Sequence, residues 1–226
     1  PMLKFSVLFL TSRKAMIEVE DFGIWNTNEP YEIWLNGEKY MESDRATQTI
    51  KNLKPDTDYE IQIKSKNDSS EITVIHTDYE FVTLDVKRFQ AIGDGIHDDT
   101  AAIQAAIMAC PAQSRVWIPK GIYKVSSLFL KSNICIDLDD EAVLSGTIDR
   151  KMIPVLPGMI QSYDEEKEYN LGSWEGNPLD CFASMITGIG VSNVVITGGG
   201  VLDGNAANDN WWEDDRAKII AFRPRM

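Results

Sequence analysis

Over residues 5 to about 86, apolar and polar positions alternate with a period of two in short runs broken by turn residues. Ile17-Glu-Val-Glu20, Tyr31-Glu-Ile-Trp-Leu35, Tyr59-Glu-Ile-Gln-Ile-Lys64 and Ile72-Thr-Val-Ile75 each put their apolar side chains on one face of a strand. Asn36-Gly37 follows the second run and predicts a tight hairpin. Asn67-Asp-Ser-Ser70 separates the last two. Regular strand spacing with turns between predicts a β-sandwich over residues 2–85.

The pattern changes at Val86-Lys-Arg-Phe89. Gly93-Asp-Gly-Ile-His-Asp-Asp-Thr100 leads into Ala101-Ala-Ile-Gln-Ala-Ala-Ile-Met-Ala109, where Ile103 and Ile107 fall four apart on one helical face. A helix near 99–110 is predicted, with Asp98, Asp99 and Thr100 at its N-cap and Pro111 helping to end it. Short strands follow at Val116–Pro119, Tyr123–Val125, Leu128–Leu130 and Ile134–Leu138, without the recurrent helices of a βαβ fold. The chain also repeats itself. Ser132-Asn-Ile-Cys-Ile136 runs on to Val143-Leu-Ser-Gly146, and Ser192-Asn-Val-Val-Ile196 to Val201-Leu-Asp-Gly204. A unit of two short strands and a turn, repeated, predicts stacked β-solenoid coils over residues 86–226.

The 226 residues suffice for two domains, and 43% hydrophobic with 25% charged residues supports packed cores. A formal charge of −13 argues against a nucleic-acid partner, whose phosphates need a basic surface. No apolar run approaches the ~20 residues of a membrane span, so no membrane partner is expected. The same charge opposes long-range attraction of an acidic polysaccharide, although exposed charges are screened beyond ~8 Å at physiological salt. Cys110, Cys135 and Cys181 form neither a close-spaced metal pattern nor an even-numbered disulfide set, and read as small buried residues. Pro1 ahead of Met2 reads as a cloning remnant. Phe5–Leu10 is too short for a signal core and reads as a strand. That favours a cytoplasmic location if Met2 is the native start, and a secreted one if the start was trimmed.

Two resemblances follow from particular residues. Leu53-Lys-Pro-Asp-Thr-Asp-Tyr59 resembles the fibronectin type III corner, in which a Tyr at a strand start hydrogen-bonds back to the preceding loop. Gly93-Asp-Gly-x-x-Asp-Asp-Thr100-x-x-Ile103-Gln104-x-Ala106-Ile107, Val116-x-Ile-Pro-x-Gly-x-Tyr123 and Leu128-x-Leu-Lys-Ser-Asn133 resemble the N-terminal cap of pectin-lyase-like right-handed parallel β-helix proteins. Trp174-Glu-Gly176, Ile196-Thr-Gly-x-Gly200-Val-Leu-Asp-Gly204, and Trp211-Trp212 before Arg223-Pro224 resemble glycoside hydrolase family 28, the bacterial polygalacturonases and exo-polygalacturonases. Gln90 departs from the Gly common in that family. The resemblance implies an all-β fold, a fibronectin type III-like sandwich followed by the capped first coils of a right-handed parallel β-helix. It also implies inverting hydrolysis of α-1,4-galacturonan or oligogalacturonides, in which one carboxylic acid protonates the leaving oxygen and a carboxylate activates water. The family draws those groups from Asn-Thr-Asp, Asp-Asp, Gly-His-Gly and Arg-Ile-Lys segments. This sequence has neither Asn-x-Asp nor His-Gly, so the catalytic groups are expected downstream of Met226 and the chain alone is expected to be inactive.

Three Asp-Asp pairs invite misreading as catalytic. Asp98-Asp99 suits helix capping and Asp139-Asp140 a turn, while Asp214-Asp215 before Arg216-Ala-Lys218 lacks the companion motifs. His76 and His97 have no partner constellation for acid–base work, and the run Asp164–Glu168 reads as a solvated loop. The long insertion 147–182 with Tyr163, Tyr169, Trp174 and Glu175, and the later Trp211, Trp212 and Arg216, supply the candidate substrate-binding residues. No metal or cofactor is expected. A pectic polysaccharide or oligogalacturonide is the expected partner, and self-association through an open solenoid end is expected as well. A noncatalytic carbohydrate-binding or assembly protein, or a lyase or tailspike on the same helix, is the alternative.

Overall fold

The computed structural model describes residues 3–21, 23–161, 168–207 and 210–211. The chain divides into two compact units, residues 1–80 and 81–226. The break precedes the boundary expected at 85/86, because Thr83–Asp85 is already the first strand of the second unit and pairs in parallel with Arg115–Trp117.

Among the described residues the first unit is a sandwich of seven strands: β1 (Phe5–Leu10), β2 (Ala15–Val19), β3 (Asn26–Leu35), β4 (Glu38–Arg45), β5 (Thr47–Ile50), β6 (Asp58–Lys64) and β7 (Thr73–His76). The sheets run β1-β2-β5 and β4-β3-β6-β7, with every pairing antiparallel. Alternation sends Ile17, Tyr31, Ile33, Ile50, Ile61 and Ile63 into one core, each 2% exposed or less. Asn36 and Gly37 take positive φ (49° and 80°), the paired left-handed conformation of a type I′ hairpin turn. The tyrosine corner closes as its motif predicts: the Lys54 amide donates to Tyr59 Oη at 2.9 Å. Strands β4 and β5 carry no legible alternation, since most of their residues stay in contact with solvent.

The described residues of the second unit wind through three parallel ladders. The first is β8 (Thr83–Asp85), β10 (Arg115–Ile118), β13 (Ile134–Leu138) and β22 (Val194–Gly198). The second is β9 (Asp94–Asp98), β11 (Gly121–Val125), β14 (Ala142–Gly146) and β23 (Val201–Asp203), and a short third pairs β12 (Leu128–Phe129) with β21 (Ile186–Thr187). This is a parallel β-helix. The sequence repeat is its stacking register: Ile134 lies under Val194, and Asn133 and Asn193 both turn through positive φ (58° and 54°). The two asparagines are joined by a 2.9 Å bond from Asn193 Nδ2 to Asn133 Oδ1. Gly198–Gly200 lets the upper coil close on the lower, since a Cβ at Gly198 would lie 2.0 Å from the Leu138 carbonyl oxygen.

Val116, Ile118, Tyr123, Val125, Ile136 and Leu144 fill the interior, and the helix α1 (Thr100–Ala109) closes one end with Ile103, Ala106 and Ile107. Gln104 extends this cap like a strand. Its side chain accepts from the Phe129 amide at 2.7 Å and donates to the Phe129 carbonyl at 2.8 Å. The N-cap residue is Asp99, within the expected 98–100, but its side chain makes no capping bond. Asp98 does the capping, accepting from Thr100 N and Oγ1. Asp99 is 2% exposed and turns away from the helix to accept from Ile92 N at 2.6 Å and Gly93 N at 2.9 Å. Along the inward columns, Ile196 and Leu202 sit in register with buried Ile136 and Leu144 but remain 41% and 47% exposed. Cys110 and Cys181 are buried, and Cys135 is half-buried.

Candidate functional site

Strands β14 and β23 are parallel neighbours, so the chain leaves both at the same edge of their ladder. From β14 springs the insertion 147–185, and from β23 the turn leading to Trp211. The two segments carrying the candidate substrate-binding residues therefore emerge side by side. They are stitched together. Asn205 Nδ2 donates to Ser145 Oγ at 2.8 Å and to the Gly146 carbonyl at 2.7 Å. Arg150 Nη2 donates to the Asn210 carbonyl at 3.0 Å, and its guanidinium lies 5.6 Å from the Trp211 ring centre.

The insertion folds as small antiparallel pairs: β15 (Val155–Leu156) with β20 (Cys181–Phe182), β16 (Met159–Gln161) with β17 (Glu168–Asn170), and β18 (Ser173–Trp174) with β19 (Asn177–Pro178). Trp174 pairs with Asn177 across a two-residue turn. Glu175 and Gly176 take φ of 49° and 82°, so Trp-Glu-Gly encodes a type I′ hairpin tip that holds Glu175 out in solvent. Tyr169 reaches the loop before β22, where a Cβ at Gly190 would come within 2.7 Å of its hydroxyl.

Trp211, a candidate substrate-binding residue in the sequence, is buried in the structure. It is 5% exposed, packs with Ile153 and Phe182, and donates from Nε1 to the Gly204 carbonyl at 3.1 Å. An indole used this way fastens the insertion to the coil above it. Trp212, Arg216, Asp214 and Asp215 lie outside the described residues, as do Tyr163 and the acidic run through Lys167.

The outer face of the second ladder adds residues that the sequence reading missed. One outward row is Asp98, Lys124, Ser145 and Asp203, ending where the two loops emerge. The Lys124 ammonium has no partner among the described residues. The row beneath is aliphatic, with Ile122, Val143 and Val201 in register. Strand β9 is exposed throughout, so no alternation marks it. Elsewhere, Asp139 Oδ1 accepts from the Glu141 amide and shapes a turn. His97 Nδ1 meets Asp94 at 2.6 Å, and donation from the His97 and Ile96 amides together with that contact holds the Asp94 carboxyl well below its usual range. Burial, aided by the nearby carboxylates Asp85, Asp99 and Asp139, pushes the Tyr123 phenol up to about 12, and its hydroxyl donates to the Pro119 carbonyl. No group of three His, Cys, Asp or Glu able to hold a metal occurs among the described residues. No described helix is long and apolar enough to cross a membrane.

A capped parallel β-helix whose loops gather at one ladder edge, preceded by a sandwich with a tyrosine corner, defines a class: the pectate-lyase-like right-handed β-helix proteins with a fibronectin type III-like front domain. The family described as "Rhamnogalacturonase A/epimerase, pectate lyase-like" matches residues 83–146. Within the class, the chain is similar to the N-terminal portion of the exopolygalacturonases of glycoside hydrolase family 28. It is 30% identical over 166 residues to an exo-poly-α-D-galacturonosidase of Dickeya chrysanthemi, covering 69% of this chain and 26% of that protein. It shares the fold of the family 28 exopolygalacturonase of Yersinia enterocolitica (TM-score 0.60, 23% identity, 90% of this chain and 41% of that one). A shorter stretch of 79 residues, 34% of this chain and 9% of the relative, is 40% identical to a mannuronan C5-epimerase of Azotobacter vinelandii. The chain thus spans about a quarter of the length of its galacturonosidase relative.

Proposed function

We propose that this chain is the N-terminal part of a polygalacturonase-like glycoside hydrolase that cleaves α-1,4-galacturonan or oligogalacturonides with inversion. The observation that carries the reading is the 30% identity with the Dickeya galacturonosidase over 69% of the chain. The loops at the β14 and β23 edge support it: they are stitched into one unit and flank an outward row containing an unpaired lysine, suited to a uronate carboxylate. The described Asp-Asp pairs, Asp98-Asp99 and Asp139-Asp140, are engaged in structural bonds, which supports a reading in which neither pair is the acid and base. In this reading Glu175 and Lys124 touch substrate, with Trp174, Trp212 and Arg216 as further candidates, and Trp211 positions the loop.

The test is proton NMR of oligogalacturonide cleavage by the longer reading frame, read at early times. Initial release of the β-anomer supports inversion of the α-linkage; initial release of the α-anomer, or no cleavage, refutes the reading. A second reading is favoured by the epimerase match: uronate epimerisation on the same helix. It would leave chain length unchanged while altering the stereochemistry at carbon 5, which the same spectra report. The exposed rungs Ile196 and Leu202 also support self-association of the isolated chain through that end. A strictly monomeric species in sedimentation at high concentration would sink that part.

A further inference from the structure

The sandwich carries an apolar pair that its own core does not use. In the connection from β2 to β3, Ile24 is 83% and Trp25 79% exposed, the two highest values for large hydrophobic side chains among the described residues. Large apolar side chains gain from burial, so this exposure leaves a driving force for binding unused. The loop beneath them is braced. Asp21 accepts from Gly23 N at 3.0 Å through Oδ1 and from Asn28 N at 2.6 Å through Oδ2, while Asn28 Nδ2 donates back to the Asp21 carbonyl at 2.8 Å. Ala46 N donates to the Trp25 carbonyl at 3.0 Å. Gly23 is required by space, since a Cβ there would lie 1.9 Å from the Asn26 carbonyl oxygen.

We propose that Trp25 and Ile24 form a carbohydrate-binding platform, distinct from the β-helix loops, that takes a neutral or methyl-esterified pyranose chain. The assignment of a pectic ligand rests on the function proposed above. An exposed indole offers a pyranose the apolar surface its C–H face needs. The adjoining Asn26 amide, exposed and without a partner among the described residues, supplies a donor and an acceptor for hydroxyls at the ring edge. Charge selects the form of the ligand. Glu20, Asp21, Glu29 and Asp44 lie in or beside the loop and its strands, against Lys4, whose carbonyl accepts from Glu20 N, and Arg45 opposite Asn26, so the local balance stays acidic and repels a free polyuronate more than an ester.

The test is isothermal titration of the 226-residue protein and of W25A, I24S and W25F with highly methyl-esterified pectin and with polygalacturonate. The expectation is that W25A binds pectin roughly fivefold to tenfold more weakly than wild type while W25F keeps part of the affinity. The urea midpoint should not move, because the ring lies outside the core. Polygalacturonate should bind more weakly than pectin, with the gap narrowing at high salt. Equal affinity of W25A and wild type, no binding of either glycan, or tighter binding of polygalacturonate at low salt overturns the proposal. So does saturable capture of a protein by this loop without glycan binding. Hydrolysis by the longer reading frame with W25A binding unchanged would defeat this platform alone. Binding lost in W25A without hydrolysis would defeat the hydrolase reading alone.

Discussion

Asp98 and Asp99 are adjacent and identical in type, yet the structure gives them different tasks, and replacing each with Ala should separate them. Asp99 is 2% exposed and takes two charge-assisted bonds, from Ile92 N at 2.6 Å and Gly93 N at 2.9 Å. Its own carbonyl accepts from Ile103 N and its amide donates to the Lys124 carbonyl, so it ties the 92–93 bend to helix α1 and strand β11. Bonds to a charged group contribute about 1.5–3 kcal/mol each, and an orphaned buried amide costs about 1–3 kcal/mol. Because Ile92 is 48% exposed, water can reach one of the freed amides. Asp99→Ala should therefore cost about 3 kcal/mol, well below the sum of the upper limits. Asp99→Asn keeps one acceptor and turns a donor toward the other amide, so it should cost about half as much. Asp98→Ala loses an exposed capping side chain and should cost about 1 kcal/mol. Hydrogen exchange of peptides spanning residues 86–110 reads the difference, and 3 kcal/mol corresponds to roughly a hundredfold faster exchange. An Asp98→Ala effect as large as that of Asp99→Ala, or Asp99→Ala within about 0.5 kcal/mol of wild type, would refute the assignment.

Gly198→Ala should cost about 3 kcal/mol or more, since its φ is +116° and the Cβ would meet the Leu138 carbonyl oxygen at 2.0 Å; Gly176→Ala, at φ +82° in open space, should cost about 1 kcal/mol. Urea unfolding of the two variants checks the order. Tyr59→Phe removes the bond from Lys54 N and should cost about 1 kcal/mol, read from exchange of the Lys54 amide. Hydrogen bonds to Asp58 and then Asp56 raise the His76 pKa above its ordinary ~6.5. That contribution to stability is complete below about pH 6.5 and fades as pH rises through the folded-state value. An NMR titration of His76 should show a midpoint above 6.5, with Asp58→Asn lowering it more than Asp56→Asn; a midpoint at or below 6.5 contradicts the contact geometry.

Much of the architecture is legible because its signals are local. The Tyr59 corner needs only residues 54–59, and the Asn36-Gly37 turn only its own φ preferences. The solenoid is legible because Asn133 and Asn193 occupy equivalent corners, so stacking writes itself into the sequence as a repeat. Strands β4 and β9 escape notice because solvent contact along them erases alternation. Asp99 is the N-cap residue as read, but the task of its side chain is not legible, because its partners lie six and seven residues back, reached through a bend that no periodicity encodes. The burial of Trp211, a candidate substrate-binding residue, is not legible for a related reason. Its burial depends on Ile153 and Phe182, supplied by an insertion distant in sequence. Lys124 is read as an ordinary strand residue until its register beside Asp98 and Ser145 places it on an outward row.

The central claim is the proposal that this sandwich and these first coils belong to a galacturonan hydrolase. The most direct measurement is reducing-end release from polygalacturonate and short oligogalacturonides, run side by side on the 226-residue chain and on the full reading frame. The account predicts release by the longer protein and none by the chain alone. Release by the 226 residues alone would contradict it and direct attention to Asp214, Asp215 and Arg216, while no release by either protein would remove the hydrolase reading altogether.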